Sequence, residues 1–446
     1  MKSLAVLAFA VVLVPGLARA DDGKVTLREA IKLALERNHL LKSAAFQRSA
    51  AARDISISRS RYFPRVRFDE TLSASNSPTN VFMMKLNEGR FSPDDFMIDR
   101  LNHPAHYNDF QTAFTIEQPL FDVSIGRGAE LSEKEDAAQG FILERRRQDV
   151  GFGVYQACLG VQKAKSFLGV AEQAAADARE HERLARVRNE AGMGLKSDEL
   201  RARTFLAEME QQLISAQNAL VLARLRLAQV TGGEPGESLE VSEEIRAPQN
   251  VPGSEELSRL ALENRQDLQE AAAIVEKADA GVRLARGSYL PTVYASAAYQ
   301  MNDRDIPFGR DNDSWQAGVN LRWELFDGMR RSNEAGKARA LRSSAAEYLE
   351  NYRREVLLQV TESGLNRAEA AKRLEVARHA VRDAEEGVRL VGKRFEGSLA
   401  TMVELLDAET ALTRSRALVV ESESDLALAT ARLYQAAGIF LKEVGQ

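Results

Sequence analysis

The chain carries nearly the same half-molecule twice. The Ala-Leu-Glu string that begins at residue 34 returns at residue 261, and the Tyr-x-Pro string at 62–64 returns at 289–291. Both echoes lie 227 residues apart (261 − 34 and 289 − 62). Solenoid repeats have periods of about 20–50 residues, so we interpret the chain as a duplicated half-molecule.

A third echo shows where the two halves differ in length. The Leu-Phe-Asp string at 120–122 returns at 325–327, only 205 residues later (325 − 120). The first half therefore holds 22 additional residues (227 − 205) between these markers. The markers divide the chain into a first repeat at 21–231, a linker with several glycines and prolines at 232–253, and a second repeat at 254–446.

The first twenty residues have the pattern of a secretory signal peptide. Lys2 gives a positive start, residues 4–14 are almost all apolar, and the small-x-small string at 18–20 is typical of a cleavage site. A membrane-spanning helix needs about 20 apolar residues, so a retained anchor is the weaker alternative. We expect cleavage after residue 20 and export of the mature chain.

Composition excludes several classes of protein. The formal net charge is −5, which gives no basic excess for nucleic acid. The single cysteine, Cys158, leaves no disulfide or lipid anchor, and His103 and His106 lack the partners of a metal site. No phosphate-binding glycine loop, zinc-protease helix or nucleophile elbow is present in the sequence. We therefore predict no enzyme, no cofactor and no metal.

Each half contains two short segments in which apolar and polar residues alternate. They lie near 65–75 and 109–121 in the first repeat, and near 292–302 and 314–326 in the second. One face of the last segment carries Trp315, Ala317, Val319, Leu321, Trp323 and Leu325. Period two is typical of strands with lipid on one side and a polar lumen on the other.

The only two tryptophans lie on this apolar face. Trp315 and Trp323 are eight residues apart, which is about 26 Å along a strand, or about 20 Å in height after a tilt near 40°. Aromatic girdles at the two membrane interfaces have a comparable separation, so we expect both side chains to contact outer-membrane lipid. A half-buried strand of a soluble protein, with two core tryptophans, is the alternative.

Long helical patterns occupy most of the remaining chain. Each half opens with a helical stretch, at 26–60 and 254–287, and has an unbroken one at 126–188 or 329–395. A helix of about 65 residues is roughly 100 Å long, and heptad spacing in these stretches indicates coiled-coil packing. The predicted fold is mainly α-helical with a β part.

In its motifs the chain resembles the TolC family of outer-membrane channels over essentially the whole mature sequence. The matching strings are Thr-Leu-x-Glu-Ala at 26–30, the Tyr-x-Pro and Leu-Phe-Asp repeats, and Gly-Ser-Leu-Ala-Thr at 397–401. The resemblance implies a homotrimer, in which each chain lends four transmembrane strands to one twelve-stranded β-barrel. It also implies that the long helices form an α-helical tunnel through the periplasm. Independently, four strands are too few to close a lumen.

The resemblance also implies a periplasmic gate of acidic residues. By motif position these are Glu404, Asp407 and Asp198, which as rings of carboxylates would select cations at a narrow mouth. The alternative is that acids in the first helical turn only complement the helix dipole. Ala400 stands where some family members carry an arginine, so a salt-bridge lock of the closed mouth is in doubt.

Two predicted turns match the tips at which family members meet a periplasmic adaptor (membrane fusion protein). These positions are Gly194, Leu195 and Ser197 in the first repeat and Ser398, Leu399 and Thr401 in the second. On physical grounds alone they are helix-turn-helix connections with a Ser or Thr cap. The further partner implied is an inner-membrane transporter of the RND or ABC type.

The additional residues form an insertion at 77–108, expected outside the cell between the first two strands. It is unusually apolar for a solvated loop and contains Phe82, Met83, Met84, Phe91, Phe96 and Met97. A lid over the barrel mouth and a long packed surface loop are both open at this point.

We therefore predict a passive exit duct in the Gram-negative outer membrane, serving a tripartite efflux pump or a type I secretion system. The alternative from a different class is an exported coiled-coil spacer without a pore. A spacer accounts for the heptads but not for the four alternating segments.

Overall fold

The computed structural model describes residues 24–234, 236–248 and 251–444. The predicted signal peptide at 1–20, and parts of the predicted linker, lie outside the described residues. The described chain is mainly helical and has one four-stranded sheet, which confirms the predicted fold class. In the described ranges, no helix is both long enough and apolar enough to cross a membrane.

Among the described residues, the long strands and the helices on either side of them follow the same order in the two repeats, while the first repeat adds two short helices between its strands and the second adds one at its end. The first repeat contains β1 (Lys24–Val25), α1 (Leu27–Arg37), α2 (His39–Ser60), β2 (Arg65–Ser75), α3 (Pro78–Asn87), α4 (Ile98–Asn102), β3 (Tyr107–Phe121), α5 (Val123–Glu190) and α6 (Lys196–Thr231). The remaining elements are β4 (Glu240–Val241), α7 (Ser254–Asn264), α8 (Gln266–Gly287), β5 (Thr292–Asp303), β6 (Asn312–Arg322), α9 (Arg330–Glu396), α10 (Met402–Ala436) and α11 (Phe440–Val444).

The duplication extends to the bounds of the helices. Adding 227 to the ends of α1 and α2 gives the ends of α7 and α8. The long helices also match, with 68 residues in α5 and 67 in α9. Their return helices have 36 residues in α6 and 35 in α10.

The single helices predicted at 26–60 and 254–287 are wrong, because each is two helices. Asn38 and Arg265 separate the pairs and have extended backbone, with ψ of 124° and 120°. The Asn38 side chain stabilises its break, since its oxygen accepts from the N–H groups of Leu40 and Leu41 and its amide donates to the Val230 carbonyl.

The Thr-Leu-x-Glu-Ala motif has a clear structural role at the start of α1. Thr26 is the N-cap, and its hydroxyl accepts from the N–H of Glu29 at 3.2 Å. The Glu29 carboxylate accepts in return from the Thr26 N–H at 2.9 Å, which completes a capping box.

Contacts divide the chain into two units. The first comprises the chain up to Lys42, Arg146–Arg265 and the chain from Val356 onward, and the second comprises Ser43–Arg145 and Gln266–Glu355. In the first unit, Cys158 is fully buried and burial raises the pKa of its thiol to about 12. This thiol therefore behaves as a small apolar core residue.

In the second unit, the four long strands form an antiparallel sheet in the order β2-β3-β5-β6. Pairing places Phe68 opposite Phe114, Phe114 opposite Tyr299, and Tyr299 opposite Trp315. Residues directly opposite share a face, so the apolar residues of all four strands form one continuous surface. We call this surface the apolar face and the opposite one the polar face.

The last strand is shorter than the sequence pattern predicts. The predicted segment is near 314–326, whereas β6 ends at Arg322 and the chain then turns toward α9. Trp323 lies just beyond the strand, where its indole N–H donates to the Tyr289 carbonyl at 3.2 Å.

Candidate functional site at the hairpin tips

The first tip joins α5 to α6 through a tight turn. The N–H groups of Gly192 and Met193 donate to the carbonyls of Asn189 and Arg188, and Gly192 has φ of +70°. This is the Schellman arrangement, which favours glycine at the left-handed position. A Cβ on Gly194 would lie 3.1 Å from backbone atoms of Arg188 and Asn189, so this glycine allows the close approach of the chain.

The predicted serine cap of α6 is wrong. The N-cap residue is Leu195, whose φ and ψ are −92° and 141°, and no side chain caps the helix there. Ser197 lies inside the first helical turn, beyond the extended residue that an N-cap requires. Glu199 holds this turn instead, because its carboxylate accepts from Lys196 at 2.5 Å and from Asn189 at 2.6 Å.

The second tip joins α9 to α10 with the same geometry. The N–H groups of Ser398 and Leu399 donate to the carbonyls of Phe395 and Arg394, at 3.1 and 2.7 Å. Ser398 occupies the left-handed position with φ of +56°, where the first tip has glycine. Thr401 caps α10 as predicted, and its hydroxyl accepts from the Glu404 N–H at 3.2 Å.

Glu404 is part of that cap. Its Oε2 accepts from the N–H and the hydroxyl of Thr401, at 2.7 and 3.2 Å. These bonds, the backbone one first, lower the pKa of the Glu404 carboxyl. The group is therefore ionised at neutral pH. Its position also fits the alternative function fully, in which an acid of the first helical turn only complements the helix dipole.

The other two predicted acids differ in their surroundings. Asp407 is exposed on α10, three residues after Glu404, so both carboxylates lie on neighbouring positions of one helix surface. Asp198 is half-buried in the first turn of α6. The adjacent Glu199, which sequence reasoning missed, is the buried acid of this turn and is only 8% exposed.

The two tips pack against each other within the chain. Their shared core consists of Ala185, Ala202, Phe395, Met402 and Leu405. These five residues come from α5, α6, α9 and α10. Ala400 packs against this core and is therefore part of an apolar contact.

Arg188 joins the two tips directly. Its guanidinium donates to the carbonyls of Phe395 and Glu396 at 3.1 and 3.2 Å. The same group lies 4.4 Å from the centroid of the Phe395 ring. A cation at the end of α9 satisfies carbonyls that lack helical partners and complements the helix dipole.

A second polar link lies farther along the same helices. His181 on α5 and Glu409 on α10 are 3.0 Å apart, with 14% and 10% of their side-chain surfaces exposed. Leu406 packs against apolar clusters that contain Ala178 and Ala185, on either side of the histidine in α5. The His181 Nδ1 atom is buried and has no partner, so the pair is a polar contact in an otherwise apolar seam.

Sequence reasoning missed both links. Aligning the repeats with an offset of 206 matches Arg188 with Arg394 and Asp198 with Glu404. This match indicates that both repeats have the same turn. No pattern in the sequence near Arg188 indicates its contact with the other hairpin. Within the described ranges, no group of three or more His, Cys, Asp or Glu residues is placed to hold a metal ion.

Of the predicted interface aromatics, Trp315 lies on the sheet and Trp323 lies just beyond its last strand, both away from the tips in sequence. Trp315 is 78% exposed in the isolated chain and belongs to the apolar face. Trp323 is also exposed, although its indole N–H is hydrogen-bonded to the Tyr289 carbonyl. The four strands therefore present a wide and largely exposed apolar surface, which the Phe308 ring of the β5–β6 turn contacts at Phe68.

Comparison with known proteins agrees with this architecture. The family model described as "Outer membrane efflux protein" matches residues 30–233 and 257–439. The chain is 27% identical to the fusaric acid resistance protein FusA of Burkholderia cepacia over 272 residues, which is 59% of this chain and 49% of FusA. It is 26% identical to the pyoverdine export outer membrane protein OpmQ of Pseudomonas aeruginosa over 265 residues, 57% of this chain and 54% of OpmQ.

The match therefore spans about half the length of these curated relatives. Among solved structures, the CmeC outer membrane channel of Campylobacter jejuni has a similar fold, with a TM-score of 0.74 and 15% identity. That similarity covers 97% of this chain and 94% of CmeC.

Proposed function

The chain belongs to the outer membrane efflux protein family, and on this premise we propose that it is the passive exit duct of a tripartite efflux pump or a type I secretion system. A passive duct needs no catalytic residues. It needs a wall that separates lipid from a polar passage, and a mouth that partners recognise.

One observation carries this proposal. Phe68, Phe114, Tyr299 and Trp315 lie in one row across four paired strands. The polar face of the same strands carries residues such as Gln316 and Asn320. A sheet with one apolar and one polar face is what a barrel wall requires, with lipid outside and a lumen inside.

We propose that copies of the chain share this barrel. Within the described residues, the outer strands β2 and β6 each have one partner strand. An open edge in lipid leaves unpaired N–H and C=O groups, which cost several kcal/mol each. Pairing of β2 with β6 of the next copy removes both edges, and the homotrimer of the resembled family is the assembly we propose.

The hairpin tips are the proposed periplasmic mouth. Leu195 and Leu399 are both exposed, one at each turn, and offer apolar contacts to a periplasmic adaptor. Asp407 is exposed and is the proposed selectivity residue, with Glu404 and Asp198 as weaker contributors. An inner-membrane transporter supplies the energy in this scheme.

The test is conductance across a planar bilayer by the detergent-extracted mature protein, with its mass measured alongside. Discrete channel steps from a species of three chains support the duct. A soluble dimer without conductance would instead support the coiled-coil spacer. A silent trimer would be tested again as an Arg188→Ala variant, because the loss of that link between the tips favours an open mouth.

A further inference from the structure

The insertion at 77–108 is a folded element. It contains α3, a 3₁₀ turn at Pro93–Phe96, and α4. The rings of Phe82 and Phe91 are 4.6 Å apart, and those of Phe91 and Phe96 are 5.0 Å apart. These edge-to-face contacts join the three rings within the insertion, and Phe96 itself is 63% exposed.

The insertion lies at one end of the sheet. Pairing places Ser75, the last residue of β2, opposite Tyr107, the first residue of β3. Arg65 and Glu117 pair near the other end, where β2 follows α2 and β3 leads into the long helix α5. In the proposed duct, the insertion is therefore at the extracellular exit.

The insertion packs on the polar face of the sheet. Tyr107 belongs to this face, and its ring packs with Val81 and Met84 of α3 in a buried cluster. The Tyr107 hydroxyl donates to the Glu88 carboxylate at 2.5 Å. The Asn312 amide, on the same face of β6, donates to the Asn87 carbonyl at 3.0 Å.

Along the polar face, residues near the insertion on β3 and β5 are buried and residues farther from it on β6 are exposed. Asn302 on the polar face of β5 is only 2% exposed, and its amide donates to the buried Asp109 carboxylate at 2.9 and 3.0 Å. Ser314 and Gln316, farther down this face on β6, are exposed. The end of the polar face that the insertion contacts through Tyr107 and Asn312 is therefore also the end at which Asn302 is buried.

A pair of ion pairs ties the insertion to the turn between β5 and β6. Arg90 Nε lies 2.6 Å from Asp311, and its Nη1 lies 3.0 Å from Asp305. The insertion is connected to β2 and β3 by short segments at 76–77 and 103–106, which have no regular structure. It is therefore held down by a few polar contacts and one small apolar cluster between two non-regular connections.

We propose that the insertion is a hinged cap on the extracellular exit, and that Arg90 with Asp305 and Asp311 forms its releasable latch. This inference rests on the proposed function, which makes the polar face the lumen. In the assembled duct, each copy places one cap over its share of the lumen, and the exit is narrow until the latches open. The protein then has a gate at the exit in addition to its periplasmic mouth.

The test uses thiol labelling of intact cells that produce the full chain. The native thiol of Cys158 is fully buried, so a Gln316→Cys variant reports access to the polar face below the cap. We expect N-ethylmaleimide to label this site faster than a maleimide carried on a polyethylene glycol chain. Arg90→Ala should raise the rate for the bulky reagent by about three- to tenfold, the change expected from losing two partly exposed ion pairs.

Asp311→Asn is the second variant, because it removes one latch charge with little change in shape. The matched control is Arg100→Ala, since Arg100 pairs at 3.6 Å with Asp94, which is also within the insertion. In this control, the bulky reagent should label Gln316→Cys at the same rate as in the chain with an intact latch.

The cap proposal is overturned if both reagents label Gln316→Cys at equal rates in the chain with an intact latch, in Arg90→Ala and in Asp311→Asn. An Ile98→Cys variant separates this result from failure of the duct, because Ile98 is 77% exposed on the insertion itself. Labelling at Ile98→Cys together with channel steps, but unchanged rates at Gln316→Cys, overturns only the cap. No labelling at Ile98→Cys on intact cells overturns the proposed function, and the cap with it.

Discussion

The guanidinium of Arg188 lies over the ring of Phe395 and donates to that residue's carbonyl oxygen. One side chain at the end of α5 thereby satisfies the end of α9 and joins the two hairpin tips of the chain. Any movement that separates the tips must break this contact, so we expect its strength to affect stability and, in the proposed duct, the width of the mouth.

Arg188→Ala should therefore loosen the tips. The loss of two hydrogen bonds and a cation–π contact is expected to lower the free energy of unfolding by about 1–2 kcal/mol. It should also raise the open probability in single-channel recordings. The control is Arg186→Ala, because Arg186 pairs with Glu182 on its own helix. If both variants behave alike, Arg188 does not link the tips.

Two substitutions separate the roles of Glu404. Glu404→Gln removes the charge but keeps an acceptor for the Thr401 N–H, whereas Glu404→Ala removes both. If Glu404 serves only the cap, Glu404→Gln should leave the reversal potential in a salt gradient unchanged, and Glu404→Ala should lower the melting temperature. Asp407→Asn should reduce cation preference without a change in melting temperature, because Asp407 is exposed.

Repetition and periodicity predicted the larger features of this fold. The alternation at 65–75, 109–121, 292–302 and 314–326 indicated strands, and the register brings their apolar residues to one face. Such patterns are local and depend on side-chain period alone. They therefore identify an element before its neighbours are known.

The features that the sequence did not reveal depend on distant contacts. The break at Asn38 is stabilised through the Val230 carbonyl, and Arg265 contacts Gln359 at 2.6 Å. Apolar periodicity continues through both breaks, so a single helix was the local expectation. The role of Arg188 depends likewise on the other hairpin, and nothing near it in the sequence specifies Phe395.

The pair of His181 and Glu409 gives a test by double-mutant cycle. His181→Leu alone or Glu409→Leu alone leaves the other buried group without its partner, and each should cost about 1–3 kcal/mol of unfolding free energy. Replacing both residues by leucine should cost less than either single change, because no buried polar group is then left unpaired. Additive costs in thermal unfolding would show that the two side chains do not interact.

The apolar face of β6 gives a direct test of contact with lipid. Val319→Arg is expected to reduce assembly in the outer membrane, at a cost of about 2–4 kcal/mol per chain for arginine near mid-bilayer. Asn320→Arg is the matched control, since Asn320 is the next residue on the same strand and points to the polar face. Equal recovery of both trimers from the outer membrane would contradict the assignment of the faces.

We expect Glu88 to make the proposed exit cap sensitive to pH. Burial raises the pKa of the Glu88 carboxyl above its usual 4.5, and the groups that face it are Tyr107 and Asp109 on β3, Arg90 in the insertion, and Asp311 in the turn. A raised pKa means that the closed cap binds the proton more tightly than an open one does. This stabilisation of the closed cap is fully present below the ordinary pKa of the carboxyl and is lost as pH rises through its raised pKa.

Labelling of Gln316→Cys by the bulky reagent, corrected for the reactivity of a freely exposed thiol, should therefore accelerate as pH rises from about 4.5. The Ile98→Cys variant supplies that correction, because its side chain is exposed outside the cap. Glu88→Gln should abolish the acceleration, since an amide cannot ionise and still accepts from the Tyr107 hydroxyl. A pH dependence that persists in Glu88→Gln would assign the effect to another group.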